Sequence, residues 1–120
     1  MLRIDESDLE WSDDNLPYYH DQPFTGECVE SMSSGALVSL VTYEDGVADG
    51  PFKHWSPAGT LTAEGASKNG KPVGVWRHWY PGGAVQSESE FDDHGNLLRR
   101  RAWAEDGTPT EEYTAPGKNA

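Results

Sequence analysis

The stretch Gly50-Pro51-Phe52-Lys53-His54-Trp55-Ser56-Pro57-Ala58-Gly59-Thr60-Leu61 returns as Gly74-Val75-Trp76-Arg77-His78-Trp79-Tyr80-Pro81-Gly82-Gly83-Ala84-Val85, displaced by 24 residues. Other columns keep the same step: Gly35, Gly59, Gly83 and Gly107; Trp55, Trp79 and Trp103; Gly26, Gly50 and Gly74; Leu37, Leu61 and Val85. A fixed short period marks a repeat architecture, in which each unit buries apolar surface only by stacking on its neighbours. A unit of this length with a turn signal at its middle and another at its end holds two short strands. The middle turns are Pro57-Ala58-Gly59, Pro81-Gly82-Gly83 and Glu105-Asp106-Gly107, with glycine where reversal needs a positive φ. The end turns are Glu44-Asp45-Gly46 and Lys68-Asn69-Gly70-Lys71, and Asn-Gly favours the type I′ turn whose twist matches antiparallel strands. In the third copy the end turn, Asp93-His94-Gly95-Asn96, falls one residue late. The expected fold is all-β: an elongated antiparallel meander of hairpins repeating every 24 residues, three of them full copies.

Side chains alternate along a strand, so Trp76, His78 and Tyr80 share one face while Val75, Arg77 and Trp79 share the other. Neither face is purely apolar. The pattern predicts a single layer in which Phe and Trp rings stack along the sheet and cover small residues such as Ala63, Gly65, Ser87 and Ser89. One ladder, Trp55, Trp79 and Trp103, is expected to pack internally, and the other, Phe52, Trp76 and Tyr80, to stay partly available to a partner. The pattern leaves open whether the sheet stays flat or curls.

The ends depart from the repeat. Residues 1–22 form an acidic segment carrying Asp5, Glu6, Asp8, Glu10, Asp13, Asp14 and Asp21 against the single base Arg3. Ser7 and Glu10 have capping-box spacing, which predicts a short helical turn from Asp8 to Trp11, and Tyr18-Tyr19-His20 reads as a strand. Phe24 to Leu40 reads as a worn first copy with Ser31 in the tryptophan column, as suits a capping unit. The repeat domain then runs over residues 23–113, and residues 114–120 are expected to fray for want of an apolar anchor.

Composition narrows the function. At 120 residues the chain has room for one domain, and with 35% hydrophobic residues but five Trp, five Tyr and three Phe its core is built from rings. Thirteen Gly and eight Pro interrupt the chain too often for long helices. Nine Lys and Arg against 21 Asp and Glu leave a net charge of -12, which repels nucleic acid and anionic lipid. The expected partner is therefore a protein rather than nucleic acid or a membrane surface. A lone cysteine, Cys28, and no charged segment followed by an apolar run at the start point to the cytoplasm.

The residues Gly74-Val75-Trp76-Arg77-His78-Trp79-Tyr80-Pro81-Gly82-Gly83 and Asn69-Gly70-Lys71-Pro72-Val73-Gly74, with Pro23-Phe24-Thr25-Gly26 as an entry, resemble the variant MORN repeat over roughly residues 23 to 113. Bacterial proteins of that kind are grouped as YwqK-type antitoxins. The resemblance implies a non-enzymatic immunity partner that binds and neutralises a protein toxin, and it carries no catalytic residues with it. The alternative from a different class is a general interaction scaffold on the same repeats.

Charge supports a basic partner, because opposite charge accelerates docking. The expected contact residues are Asp5, Glu6, Asp8, Glu10, Asp13, Asp14 and Tyr18 in the acidic segment, and Phe52, Trp76 and Tyr80 on the aromatic face. His54 and His78 should stand in adjacent units as part of the aromatic ladder, with no recurring third ligand for a metal. Asp92-Asp93-His94-Gly95-Asn96 reads as a polar turn, since Trp103 stands where a calcium loop needs its closing acid. Cys28 near His20 lacks an orienting third group, and Glu88 with Glu90 is an ordinary solvated strand face. No catalytic, cofactor or metal site is expected, and an exposed sheet edge leaves self-association open.

Overall fold

The computed structural model describes residues 2–116. Its elements run β1 (Arg3–Asp5), a 3-10 helix (Glu6–Asp8), β2 (Glu10–Trp11), β3 (Pro17–Tyr19), β4 (Gln22–Pro23), β5 (Gly26–Ser31), β6 (Leu37–Glu44), β7 (Val47–Trp55), β8 (Leu61–Lys68), β9 (Lys71–Trp79), β10 (Val85–Phe91), β11 (Leu97–Trp103) and β12 (Pro109–Thr114). Strands β5 to β12 form an antiparallel meander in chain order, with β1 added beside β5 to make a nine-stranded sheet, and β2, β3 and β4 form a second small sheet. The β1–β5 pairing is parallel, because the intervening segment crosses over before the chain enters the repeat. The Cα radius of gyration of 16.3 Å exceeds the ~14 Å of a compact domain of this length, as an elongated sheet requires.

Turn chemistry sets the register at both edges of the slab. At each middle turn a three-residue loop closes with paired backbone bonds: the Gly59 N–H donates to Ser56 O at 2.9 Å and the Ser56 N–H to Thr60 O at 2.8 Å, with equivalents at Gly83 and Gly107. The returning strand then carries one extra residue, Thr62 between the Trp55–Leu61 and His54–Ala63 pairs and Gln86 between Trp79–Val85 and His78–Ser87. Each of these bulges lies one pair beyond the loop's closing bonds and shifts the register by one residue, separately from the glycine inside the loop. At the other edge Asp45-Gly46 and Asn69-Gly70 both take positive φ, 50° and 81° in the first and 53° and 81° in the second, as a two-residue type I′ turn demands. The late third turn is a three-residue loop instead, closed by the Gly95 N–H on Asp92 O at 3.1 Å.

Successive end turns also hold one another. The Gly46 N–H donates to Phe24 O and the Gly70 N–H to Ala48 O, each at 2.8 Å. Beside them the Asp45 N–H reaches Thr25 Oγ1 at 2.9 Å and the Asn69 N–H reaches Asp49 Oδ2 at 3.2 Å. Thr25, Asp49 and Val73 occupy one 24-residue column, so the third unit has no side-chain acceptor at that place.

The N-terminal segment closes one end of the sheet. Leu9, Phe24 and Cys28 form a buried cluster with Ile4, Tyr19 and Tyr43 packed against it, and Pro17 is fully buried. The helical turn lies earlier than its capping-box spacing suggests. Asp5 caps it by accepting from the Ser7 N–H at 3.0 Å, while Glu10 and Trp11 pair as a strand with Tyr18 and Pro17. The strand over Tyr18 and Tyr19 ends before His20, which with Asp21 takes positive φ and turns the chain into β4. At the other terminus β12 runs to Thr114 and the Ala115 N–H bonds Leu98 O at 2.8 Å. The expected frayed tail lies, over residues 117–120, outside the described residues.

Candidate functional site

Cross-strand pairing fixes which side chains share a face. One row runs Cys28, Val41, Phe52, Gly65, Trp76, Ser89, Arg100 and Tyr113, and the next runs Glu30, Ser39, His54, Ala63, His78, Ser87 and Ala102. Phe52 and Trp76 stack with ring centroids 5.2 Å apart and planes inclined by 29°. The Trp76 indole lies over Gly65, where a Cβ would overlap the ring, and its Nε1–H donates to Ala66 O at 2.9 Å. Ala63, Ser87 and Ser89 are buried beneath this face, as the small-residue pattern predicts. The buried Ser89 hydroxyl is matched by the Arg100 guanidinium at 3.1 Å. Arg100 stands in the column of Phe52 and Trp76, so a guanidinium takes the place of a ring at the third rung.

His54 and His78 flank Ala63 in one row, which places them in adjacent units. Partial burial holds the His78 imidazole below its usual range, with Arg100 and His54 adding repulsion against its protonated form. Tyr80 ties its hydroxyl to Trp103 O at 2.9 Å. Phe52, Trp76 and Tyr80 are all half-buried, and so are Trp55, Trp79 and Trp103 on the opposite face. The two ladders therefore divide by face, with neither wholly internal.

The opposite face carries a charge pattern that the aromatic columns do not announce. Its central row pairs Lys53 with Glu64, Glu64 with Arg77, Arg77 with Glu88, Glu88 with Arg101 and Arg101 with Glu112. Charge alternates in sign from β7 to β12. The Arg77 guanidinium meets Glu88 at 2.9 Å, Arg101 meets Glu88 at 3.5 Å, and beside the row Arg99 meets Glu90 at 3.0 Å. Glu88 and Glu90 are thus bound into cross-strand ion pairs rather than lying free on the strand. The signal was present in the repeat itself: Lys53, Arg77 and Arg101 recur every 24 residues, as do Glu64, Glu88 and Glu112. Arg101 also lies over the Trp103 ring, 5.7 Å from its centroid.

The acidic segment divides its residues among different tasks. Asp5 is occupied by Ser7, whose amide and hydroxyl bonds hold its carboxyl below the usual range. Glu6 is pushed upward by burial and by the nearby charges of Glu30 and Asp5, which adds Glu30 to the acidic surface. Asp8, Glu10, Asp13 and Asp14 are exposed, and none of them forms an ion pair among the described residues. Tyr18 is half-buried between Glu10 and Pro23 in the small sheet. The cluster that these strands cover pushes the Cys28 thiol up to about 11, chiefly by burial, which keeps it protonated and unreactive at neutral pH. Asp92 accepts from the His94 and Asn96 amides, each at 2.9 Å, as the cap of a polar turn.

No protein-family model matches the chain, and no curated protein does. Among solved structures, it is similar to part of a mutant of S. aureus TarM in complex with fondaparinux, alpha-GlcNAc-glycerol and UDP. The identity is 8% and the TM-score 0.43, over 88% of this chain and 19% of that one. A GtfA/B complex bound to UDP and GlcNAc gives 8% identity and a TM-score of 0.38, over 85% of this chain and 26% of that one.

Proposed function

We propose that this chain is a binding protein of the antitoxin or immunity type, which neutralises a partner protein toxin by covering it, without chemistry of its own. The observation that carries the reading is the stacked Phe52–Trp76 surface, half-exposed on a face where only the Cys28 and Tyr43 end is roofed by the N-terminal segment. Rings presented on a fixed backbone lose little entropy on docking and dominate interface energetics. The net charge of -12 selects a basic partner by accelerating encounter. The resemblance to variant MORN repeats of the YwqK type supports the same reading, with the encounter in the cytoplasm. No described helix is long and apolar enough to cross a membrane.

A scaffold reading is favoured by the second aromatic row, Trp55, Trp79 and Trp103, because two ring-bearing faces suit two partners. Co-expression separates the two. A toxin encoded beside this chain should arrest growth alone and permit it when both are made, and replacing Phe52 and Trp76 together by alanine should weaken the rescue. Toxicity that persists under full co-expression, with no complex on size exclusion, would overturn the antitoxin reading in favour of the scaffold.

A further inference from the structure

The alternating charge row ends at an open place. Glu112 lies opposite Arg101, but the Arg101 guanidinium is engaged by Glu88 and lies over Trp103, and Glu112 makes no ion pair among the described residues. Its strand, β12, is one of the two edge strands of the nine, and every one of its residues is exposed. The Ala115 N–H bonds Leu98 O, and in an antiparallel pair hydrogen-bonded residues alternate. The backbone groups of Tyr113 and Glu111 therefore point inward to β11, while those of Glu112 and Thr114 point outward to the open edge. A strand laid along that edge would place one side chain directly opposite Glu112, on the face of the charge row.

We propose that β12 is a docking edge for an extended partner segment that pairs antiparallel with it and sets a lysine or arginine opposite Glu112, continuing the row by one rung. This rests on the adhesive function proposed above and names the partner's recognition element. Charge decides against the other obvious occupant, a second copy of this chain. In two-fold pairing of β12 with itself, the registers that use most of the strand centre on Glu112 or Glu111 and set like carboxylates directly opposite each other. Registers slid to Tyr113 or to Thr110 avoid that, and each pairs few residues. Main-chain bonds from the Glu112 and Thr114 amides supply affinity in strand addition, and the side chain opposite Glu112 supplies selectivity.

Two synthetic peptides test this on the full chain: one of alternating lysine and valine, the other of alternating glutamate and valine. Backbone amide NMR shifts locate where each binds. The basic peptide is expected to move the Glu112 and Thr114 amides and to bind about five- to tenfold more tightly than the acidic one. Glu112→Lys should reverse that order, whereas Glu105→Lys, the same charge change in an exposed turn, should leave it in place. Thr114→Pro removes an outward N–H and should abolish binding of both; if that variant does not fold, the Glu112→Lys reversal decides alone. Equal response to Glu112→Lys and Glu105→Lys, or shifts centred on Phe52 and Trp76, would overturn the edge. With the toxin itself, rescue that survives Glu112→Lys but fails on loss of Phe52 and Trp76 would overturn the edge and leave the adhesive function standing. Peptide binding as expected with no rescue of any neighbour would do the reverse.

Discussion

Gly65 shows how much of this sheet rests on the absence of one carbon. The Trp76 indole lies flat on the strand only because Gly65 has no Cβ, and an added methyl would overlap backbone-anchored ring atoms. Gly65→Ala should therefore cost about 1–3 kcal/mol, as overpacking does, and should shift the urea midpoint and the Trp76 emission together. Gly82 is the matched control, with nothing within 4 Å of the place a methyl would occupy and an ordinary φ, so Gly82→Ala should be close to neutral. Cys28 gives a second test at this scale. Burial raises its thiol to about 11, so between the ordinary thiol range and that value the unfolded chain releases a proton that the folded chain retains. Stability is then fully present at neutral pH and falls as pH rises through that window, with the raised Tyr43 hydroxyl acting in the same sense. Urea midpoints measured from about pH 8 to about pH 10.5 should decline, and Cys28→Ala should flatten part of the decline. A slope unchanged by that substitution would mean the thiol is not sequestered.

At the level of strands and turns, the 24-residue step made the hairpins legible, because glycine at φ above zero is dictated locally and leaves a fixed mark in the sequence. The Phe52–Trp76 stack over small residues was legible for the same reason, since period-two alternation assigns faces without further information. The charge row is equally periodic, yet its pairs run across strands, from Glu88 to Arg77 and Arg101, where alternation along a single strand does not show them. The start of the chain carries no such period. Asp5, not Ser7, caps the helical turn, and Leu9 packs with distant Phe24 and Cys28 while the buried Pro17 accepts from the Phe24 amide at 3.0 Å, contacts that no local pattern announces. The stacked end turns supply a prediction for this scale. Asp49→Ala removes the acceptor for the Asn69 amide but leaves the Gly70 bond to Ala48, so it should cost about 0.5–1.5 kcal/mol and speed amide exchange at Asn69 more than at Gly70. Val73→Asp should bring no matching gain, because the third turn is a residue longer and presents a different amide. A stabilised Val73→Asp variant would show that the longer loop still meets that column.

For the molecule as a whole, the acidic segment joins two roles that a deletion cannot separate. Removing residues 1–22 takes away Ile4, Leu9 and Tyr19 from around Phe24 and Cys28, and the sheet would lose the roof over one end as well as its charge. Burial losses of about 2–5 kcal/mol per large side chain are set against a total stability of about 5–15 kcal/mol, so the truncated chain should lose cooperative unfolding instead of persisting as a free sheet. The clean test of charge keeps the roof. Asp8, Glu10, Asp13 and Asp14 are exposed and unpaired among the described residues, so converting the four to Asn and Gln should leave the urea midpoint nearly unchanged. Association with a basic partner should slow in the neutralised variant, by a factor that is largest at low salt and shrinks toward one as the Debye length falls below about 8 Å. Dissociation should change little, since exposed rim charges act on encounter more than on the docked complex. A neutralised variant that associates as fast as the native chain at low salt would remove the acidic segment from recognition and leave the aromatic face and the β12 edge to account for binding.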